Sequence, residues 1–406
     1  MRTEKDSMGE IKVPDDAYYG AQTKRASDNF QVSNLTIPKP MINAIAIIKR
    51  SAAIVNCKLG LLDNELKDSI IKTCDEIIEG KFDNQFIVDI YQTGSGTSTN
   101  MNMNEIISNR ACELLGSSKG DKSVIHPNDH VNLGQSSNDV IPTSIHISSI
   151  LEIKNRLLPE LELLSKSLEK KSKDFDRVIK IGRTHLQDAT PITLGQEFSG
   201  FASMVRSSME RIKSNVKELY ELAQGGTAVG TGINTHKDFS SMIISEISSF
   251  SGETFFKAKN HFELQSTQDR IIQMSGTLKT LAVSLYKISN DIRWLGSGPR
   301  SGLGELILPS VQPGSSIMPG KVNPVICESL IQVCSQVIGY DHANTIGGLS
   351  GMFQLNLMLP LIGHNILESI AILSNATKMF RVKLVDGLMA NEKKCKEYIE
   401  GSLAMC

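Results

Sequence analysis

Four polar runs in the chain concentrate hydroxyl, amide and glycine residues beside predicted helices. The first is Thr93-Gly94-Ser95-Gly96-Thr97-Ser98-Thr99-Asn100, followed by Asn102, Asn104 and Glu105. The second runs from His126-Pro127-Asn128-Asp129 to Gln135-Ser136-Ser137-Asn138-Asp139. The third is Gly182-Arg183-Thr184-His185-Leu186-Gln187-Asp188. The fourth is Gly314-Ser315-Ser316-Ile317-Met318-Pro319-Gly320-Lys321-Val322-Asn323-Pro324, with Glu328 one turn later. Backbone N–H groups at helix starts, with Ser, Thr and Asn side chains, donate hydrogen bonds to carboxylate or phosphate oxygens. One such run is ordinary helix capping. Four of them, two centred on a His or a Lys, describe a site for a small anion.

His185 is the general acid–base candidate. It lies in a polar turn between two long helical patterns, where an imidazole reaches solvent and substrate. His146 and His364 fall in helical patterns and read as structural, while His236 and His342 fit either role. In the fourth run Gly314 and Gly320 give mobility, and Pro319 and Pro324 restrict shape. A serine among N–H donors near Lys321 can have its alkoxide stabilised and act as an unusual base. The same loop could instead be a lid that grips substrate.

Several chemistries are disfavoured. The Gly-Ser-Gly of the first run follows no strand and lacks the spacing of a dinucleotide fingerprint. Gly320-Lys321 is followed by Val322, so no phosphate loop of the G-x-x-x-x-G-K-[ST] type exists. The histidines form no HxxxH pair and no His/Cys ligand set, so no metal is expected. The seven cysteines are odd in number and never in a CxxC pair, as suits thiols in a reducing cytoplasm.

Long helices must position these loops. Ile271, Met274, Leu278, Leu281, Leu285, Ile288 and Ile292 alternate spacings of three and four, a heptad stripe within residues 262–294. A second stripe is Phe198, Phe201, Val205, Met209, Ile212, Val216, Leu219 and Leu222. A third runs from Ile145 to Leu168, with a kink or break predicted at Pro159. A fourth covers residues 324–340 and resumes after Gly347, Gly348 and Gly351. Shorter helices are expected over 41–61 and 66–79. The intervals read as polar loops and any sheet as small. The fold class is therefore all-α, a bundle of long helices. Stripes this extended call for more partners than one chain offers, which predicts a homo-oligomer.

With 406 residues and 40% hydrophobic content, the chain can bury large cores. Its formal net charge of −1 gives no field for nucleic acid or anionic lipid, so neither is an expected partner. No apolar run approaches a membrane span, and the charged N-terminus is not a secretory signal. A cytoplasmic location follows.

Residues 314–324 resemble the signature of the fumarase/aspartase superfamily. The other three runs resemble it as well, as do Gly225 to His236, Ser289 to Trp294, Glu4 to Gly9 and Gly20 to Thr23, so the resemblance covers essentially the whole chain. Aspartases typically carry Gln where this chain has His185 and Ala where it has Gly320. Those two residues, with Thr235-His236, resemble class II fumarases. The resemblance implies reversible hydration of fumarate to (S)-malate in the citric acid cycle, through an aci-carboxylate carbanion and without a cofactor. The alternatives are an aspartate ammonia-lyase of the same superfamily and a non-catalytic scaffold.

By resemblance, Lys321 and Asn323 stabilise the developing carboxylate charge, with Ser316 nearby. Ser95, Thr97, Ser136, Ser137, Asn138 and Thr184 complete a dicarboxylate cradle. Ser315 matches the family's base at carbon, and His185, paired with Glu328, matches the group that handles the water. Residue types alone do not order acid and base. His126, Asn128 and Asp129 match a second anion site; some members carry Arg three residues before that His, where this chain has Ser123. The resemblance also implies a homotetramer with a shared helical core, each site drawing loops from three subunits. Its domains would be an N-terminal mostly helical domain (1–136), a central long-helix bundle (137–361) and the start of a small C-terminal domain (362–406), which reads as truncated because relatives continue further.

Overall fold

In the computed structural model, which describes residues 1–318 and 320–403, thirteen α-helices dominate. Pro319 and Cys406 lie outside the described residues. In chain order the helices are α1 (Ala21–Asn29), α2 (Lys39–Lys58), α3 (Asn64–Ile78), α4 (Thr97–Leu114), α5 (Ser137–Glu152), α6 (Leu158–Asp174) and α7 (Leu194–Asn215). Then come α8 (Phe239–Ser251), α9 (His261–Ser266), α10 (Asp269–Leu295), α11 (Val325–Gly348), α12 (Leu359–Lys383) and α13 (Glu392–Glu400). All the sheets are two-stranded. The all-α reading is borne out. No helix among the described residues is long and apolar enough to cross a membrane.

The heptad stripes lie where their spacing puts them. Ile271, Met274, Leu278, Leu281, Leu285, Ile288 and Ile292 are all fully buried on α10. Each such side chain contributes roughly 1.5–3 kcal/mol of burial. The stripe does not begin at Phe262, because the chain leaves the helix at Thr267 between α9 and α10. The third stripe is disturbed as expected: the helical path continues, but five π-helical residues, Ile153–Leu157, intervene between α5 and α6 just before Pro159 in the first turn of α6. Helix α11 continues past Tyr340 and ends at Gly348, and the helical pattern resumes with α12 at Leu359, after the glycines as expected.

The chain packs as two compact units. One comprises residues 1–151, 216–273 and 342–368. There α2 buries Met41, Ile45, Ile48 and Ala52. The buried Glu105 carboxylate accepts the N–H groups of Gly20 (2.9 Å), Gln22 (2.9 Å) and Thr23 (3.1 Å) and so caps α1. That cap gives the Gly20 to Thr23 motif a structural purpose.

The other unit comprises residues 152–215, 274–341 and 369–406. Here α10 and α11 run antiparallel, joined by the Lys279–Asp341 ion pair at 2.6 Å and by Ser289 Oγ donating to the Cys327 carbonyl at 3.0 Å. Cys327 and Cys334, one heptad apart, are both buried core residues. The interval before α7 is not the polar loop that was expected. It is an antiparallel hairpin of strands β1 (Ile179–Thr184) and β2 (Gln187–Thr193), and His185 lies at its tip.

Candidate active site

The first loop ends where Gly96, at φ +75°, opens α4. Ser95 and Thr97 share a hydroxyl hydrogen bond of 2.7 Å, and Thr99 closes the turn onto the Gln92 amide oxygen at 2.8 and 3.0 Å. Two candidate hydroxyls are thus held together at a helix N-terminus, where the peptide dipoles favour an anion.

The second loop is pinned from below. Ser136 N donates to Asp139 Oδ1 at 3.0 Å, a capping-box arrangement. The other Asp139 oxygen accepts the N–H groups of Gly225 (2.9 Å) and Thr227 (3.0 Å). Burial raises the Asp139 carboxyl to about 6 against these donors. Asn138 Nδ2 donates to the Ala228 carbonyl at 2.7 Å, and Ser137 Oγ accepts from Asn100 Nδ2 at 2.9 Å. The Gly225 to His236 motif therefore serves as the wall against which the second loop is set. An open cleft of about 470 Å³ is lined by Asn128, Asp129, Ser136, Thr227 and Asn234 among others. His126 caps the turn before it: Nδ1 accepts from Asn128 N and Asp129 N, both at 3.2 Å. The two backbone donors of the expected second anion site are thus already engaged. The same Nδ1 lies 3.3 Å from an Asp129 carboxylate oxygen.

The third loop is the hairpin tip. His185 (φ +55°) and Leu186 (φ +59°) form a two-residue connection with both residues in the left-handed region, the geometry that matches strand twist. Thr184, His185 and Leu186 are exposed there, Leu186 to 74%.

The fourth loop closes on itself. Gly314 N donates to the Lys321 carbonyl at 3.0 Å, and Asn323 Nδ2 donates to the Gly314 carbonyl at 2.9 Å. A Cβ at Gly314 would stand 2.2 Å from the Lys321 oxygen, so only glycine permits the closure. Ser315 Oγ accepts from Ile317 N at 3.3 Å, which leaves its hydroxyl hydrogen to point elsewhere. Ser316 and Lys321 are exposed, and the Lys321 ammonium joins no ion pair among the described residues. Lys321 and Asn323 line a cavity of about 290 Å³ together with Arg293 and Trp294. Those last two belong to a motif recognisable in the sequence, but nothing in their residue types assigned them a role. A larger open cavity, about 550 Å³ at residues 30–36, Ile87 and Asp89, holds none of the candidate residues.

The structure therefore joins Asn138 directly, and Ser136 through Asp139, to the 225–236 segment, Ser137 to Asn100, and Asn323 to Gly314. Within one chain it does not join His185 to Glu328: both are exposed, and no hydrogen bond or ion pair links them. Buried His146 is structural as expected, its Nδ1 3.0 Å from the Leu219 and Glu221 carbonyls. Lys49 was not among the candidates, although a lysine on the core face of α2, four residues after Ile45 and three before Ala52, is a signal. Among the described residues no three His, Cys, Asp or Glu side chains come together as a metal site would require.

The chain belongs to the lyase family, whose model matches residues 9–339. Within that family it is a class II fumarase by its relatives. It is 51% identical to the class II fumarate hydratase of Helicobacter pylori over 405 residues, covering 100% of this chain and 88% of that protein. It is 50% identical to the mitochondrial fumarate hydratase of Homo sapiens over 407 residues, covering 100% of this chain and 80% of that one. The crystal structure of a class II fumarase from Schistosoma mansoni superposes with a TM-score of 0.97 at 42% identity, over 100% of this chain and 88% of that one. The family resemblance carried by the four loops is borne out.

Proposed function

We propose that this lyase is a fumarate hydratase, adding water reversibly to fumarate to give (S)-malate through an aci-carboxylate carbanion, as a step of the citric acid cycle. The observation that carries the reading is the self-closed fourth loop. It spends its backbone on closure and leaves the Lys321 ammonium, the Ser315 and Ser316 hydroxyls and one Asn323 N–H available. In the malate direction the Ser315 alkoxide takes the proton α to a carboxylate. The electron pair moves into that carboxylate, which becomes a dianion. Lys321 and Asn323 stabilise charge where it develops, and donors fixed in advance at that place lower the barrier more than any other device such a site has. The hydroxyl then leaves as water, protonated through His185 with Glu328 behind it.

Ser95, Thr97, Ser136, Ser137, Asn138 and Thr184 are proposed to hold the two carboxylates. The exposed, unpaired state of His185 and Glu328 within one chain fits a site assembled from several subunits of a homotetramer. The second anion site is the weaker proposal, since His126 Nδ1 would have to release the N–H groups it caps. Unpaired buried thiols suit a cytoplasmic location.

The test follows the ultraviolet absorbance of fumarate on mixing with the protein, with and without ammonia. Loss of fumarate without ammonia, yielding malate, is expected. Loss only with ammonia, yielding aspartate, would replace this reading with the ammonia-lyase one.

A further inference from the structure

Lys49 is fully buried on α2, and its ammonium donates at 2.7 Å to Asn132 Oδ1. An ammonium only donates, so Asn132 must turn its oxygen inward. Its Nδ2 accordingly donates the other way, to the Gln135 carbonyl at 3.1 Å. The same Asn132 oxygen also accepts from Asn100 Nδ2 (3.2 Å) and Asn104 Nδ2 (3.3 Å). Asn100 must therefore present its NH₂ side, and that NH₂ also donates to Ser137 Oγ at 2.9 Å. Ser137 is thus an acceptor on its inner side. Its single hydroxyl hydrogen is committed to the outer side.

The amides alone do not settle this arrangement: the Gln135 carbonyl favours it by accepting from Asn132 Nδ2, but it carries a cost. Asn100 Oδ1 and Asn104 Oδ1 are left buried without a hydrogen-bond partner, a cost proteins rarely carry. If Asn132 were free to turn over, Asn100 could follow, present its oxygen to Ser137 and draw the hydroxyl hydrogen inward. Ser137 would then show only lone pairs to an incoming carboxylate. Burial disfavours the ammonium and lowers it to about 7, with Asp139 opposing the shift, yet the lysine sits there on the core face.

We propose that Lys49 is a positioning residue for substrate binding: acting through Asn132 and Asn100, it commits the Ser137 hydroxyl to donate to a substrate carboxylate. The inference rests on the reading of Ser137 as part of the dicarboxylate cradle.

The test is a double-mutant cycle on steady-state fumarate hydration. Ser137→Ala raises KM about tenfold, the scale of one hydrogen bond to a charged group. Lys49→Met keeps the apolar stem and raises KM by a similar factor, with kcat changed less. The double variant is no worse than Ser137→Ala alone, because the lysine has nothing left to orient. A lysine that only supports the fold gives factors that multiply. Multiplying factors, or a Lys49→Met protein with wild-type KM, overturn the inference. Asn100→Leu, which removes the same donor and leaves the charge, provides the second arm if Lys49→Met does not fold. Its KM effect must also vanish in the Ser137→Ala background, and persistence overturns the inference. A wild-type protein inactive on fumarate, or a Ser137→Ala protein with unchanged KM, overturns the functional reading itself and the inference with it.

Discussion

Arg183 grips Glu305 with both terminal nitrogens, Nη1 at 3.0 Å and Nη2 at 2.8 Å. Arg183 stands one residue before Thr184 and two before His185, so this fork anchors the strand that carries the hairpin tip. Glu305 is fully buried and also meets the Lys180 ammonium at 3.2 Å, while Lys180 reaches Glu197 at 2.8 Å. Two cations and two carboxylates thus neutralise one another at the foot of the hairpin. The Arg183 guanidinium lies over the Tyr398 ring, 5.4 Å from its centroid, which brings α13 into the same support.

Removing one member of such a cluster leaves a buried charge uncompensated, which costs more than the pair itself contributes. Glu305→Gln is expected to destabilise the fold by about 3 kcal/mol. It should also lower kcat roughly tenfold or more, because small misplacements of a catalytic group are expensive. Thermal denaturation and steady-state kinetics check both effects. A variant with wild-type stability and kcat would show that the fork does not hold His185 in place.

His185→Asn is expected to lower kcat roughly 10²–10⁴-fold, the range for losing a general acid–base. Substrate binding should change less, because the proposed carboxylate donors other than Thr184 lie on other loops. A near-normal kcat would remove His185 from the chemistry.

His146 predicts an acid-sensitive step in stability. Burial lowers its imidazole from 6.5 to about 4, although the Glu221 and Leu219 carbonyls favour the protonated ring. Between pH 6.5 and 4 the unfolded chain binds a proton that folded His146 refuses. The associated stability is full above 6.5 and is lost as pH falls toward 4, roughly 3 kcal/mol in all. Denaturant unfolding across this window should show a shallower pH slope for His146→Gln than for the wild type. Equal slopes would mean that another group sets the acid limb.

The long helices were legible because a heptad stripe is a property of spacing alone, and every stripe position from Ile271 to Ile292 is buried. The candidate loops were legible because anion sites need small donors, whichever backbone presents them. The hairpin was not. Its strands lack alternation, and its turn is His185-Leu186 rather than the Asn-Gly that announces such a connection, so positive φ had no glycine to mark it. Lys49 was passed over for a different reason, although its core-face position is a signal. A single lysine in an apolar run reads as a snorkelling side chain until the structure shows its ammonium on Asn132. The His185–Glu328 pairing came from family likeness, and one chain does not form it.

That last point predicts how the sites are assembled. His185 sits on an exposed hairpin tip, and Ser315 on the loop before α11. Ser95 and Thr97 open a helix in the other unit. If each site takes these loops from different subunits, two inactive variants can repair one another. His185→Asn chains supply intact Ser315, and Ser315→Ala chains supply intact His185. Random mixing in equal amounts would give about a quarter of sites both intact residues. The experiment denatures the two variants together, refolds them, and compares fumarate hydration with each variant refolded alone. Activity near a quarter of wild type is the expected outcome. Activity near zero, with mixed tetramers confirmed by mass, would mean that one chain builds each site, and the exposed hairpin tip would then need another explanation.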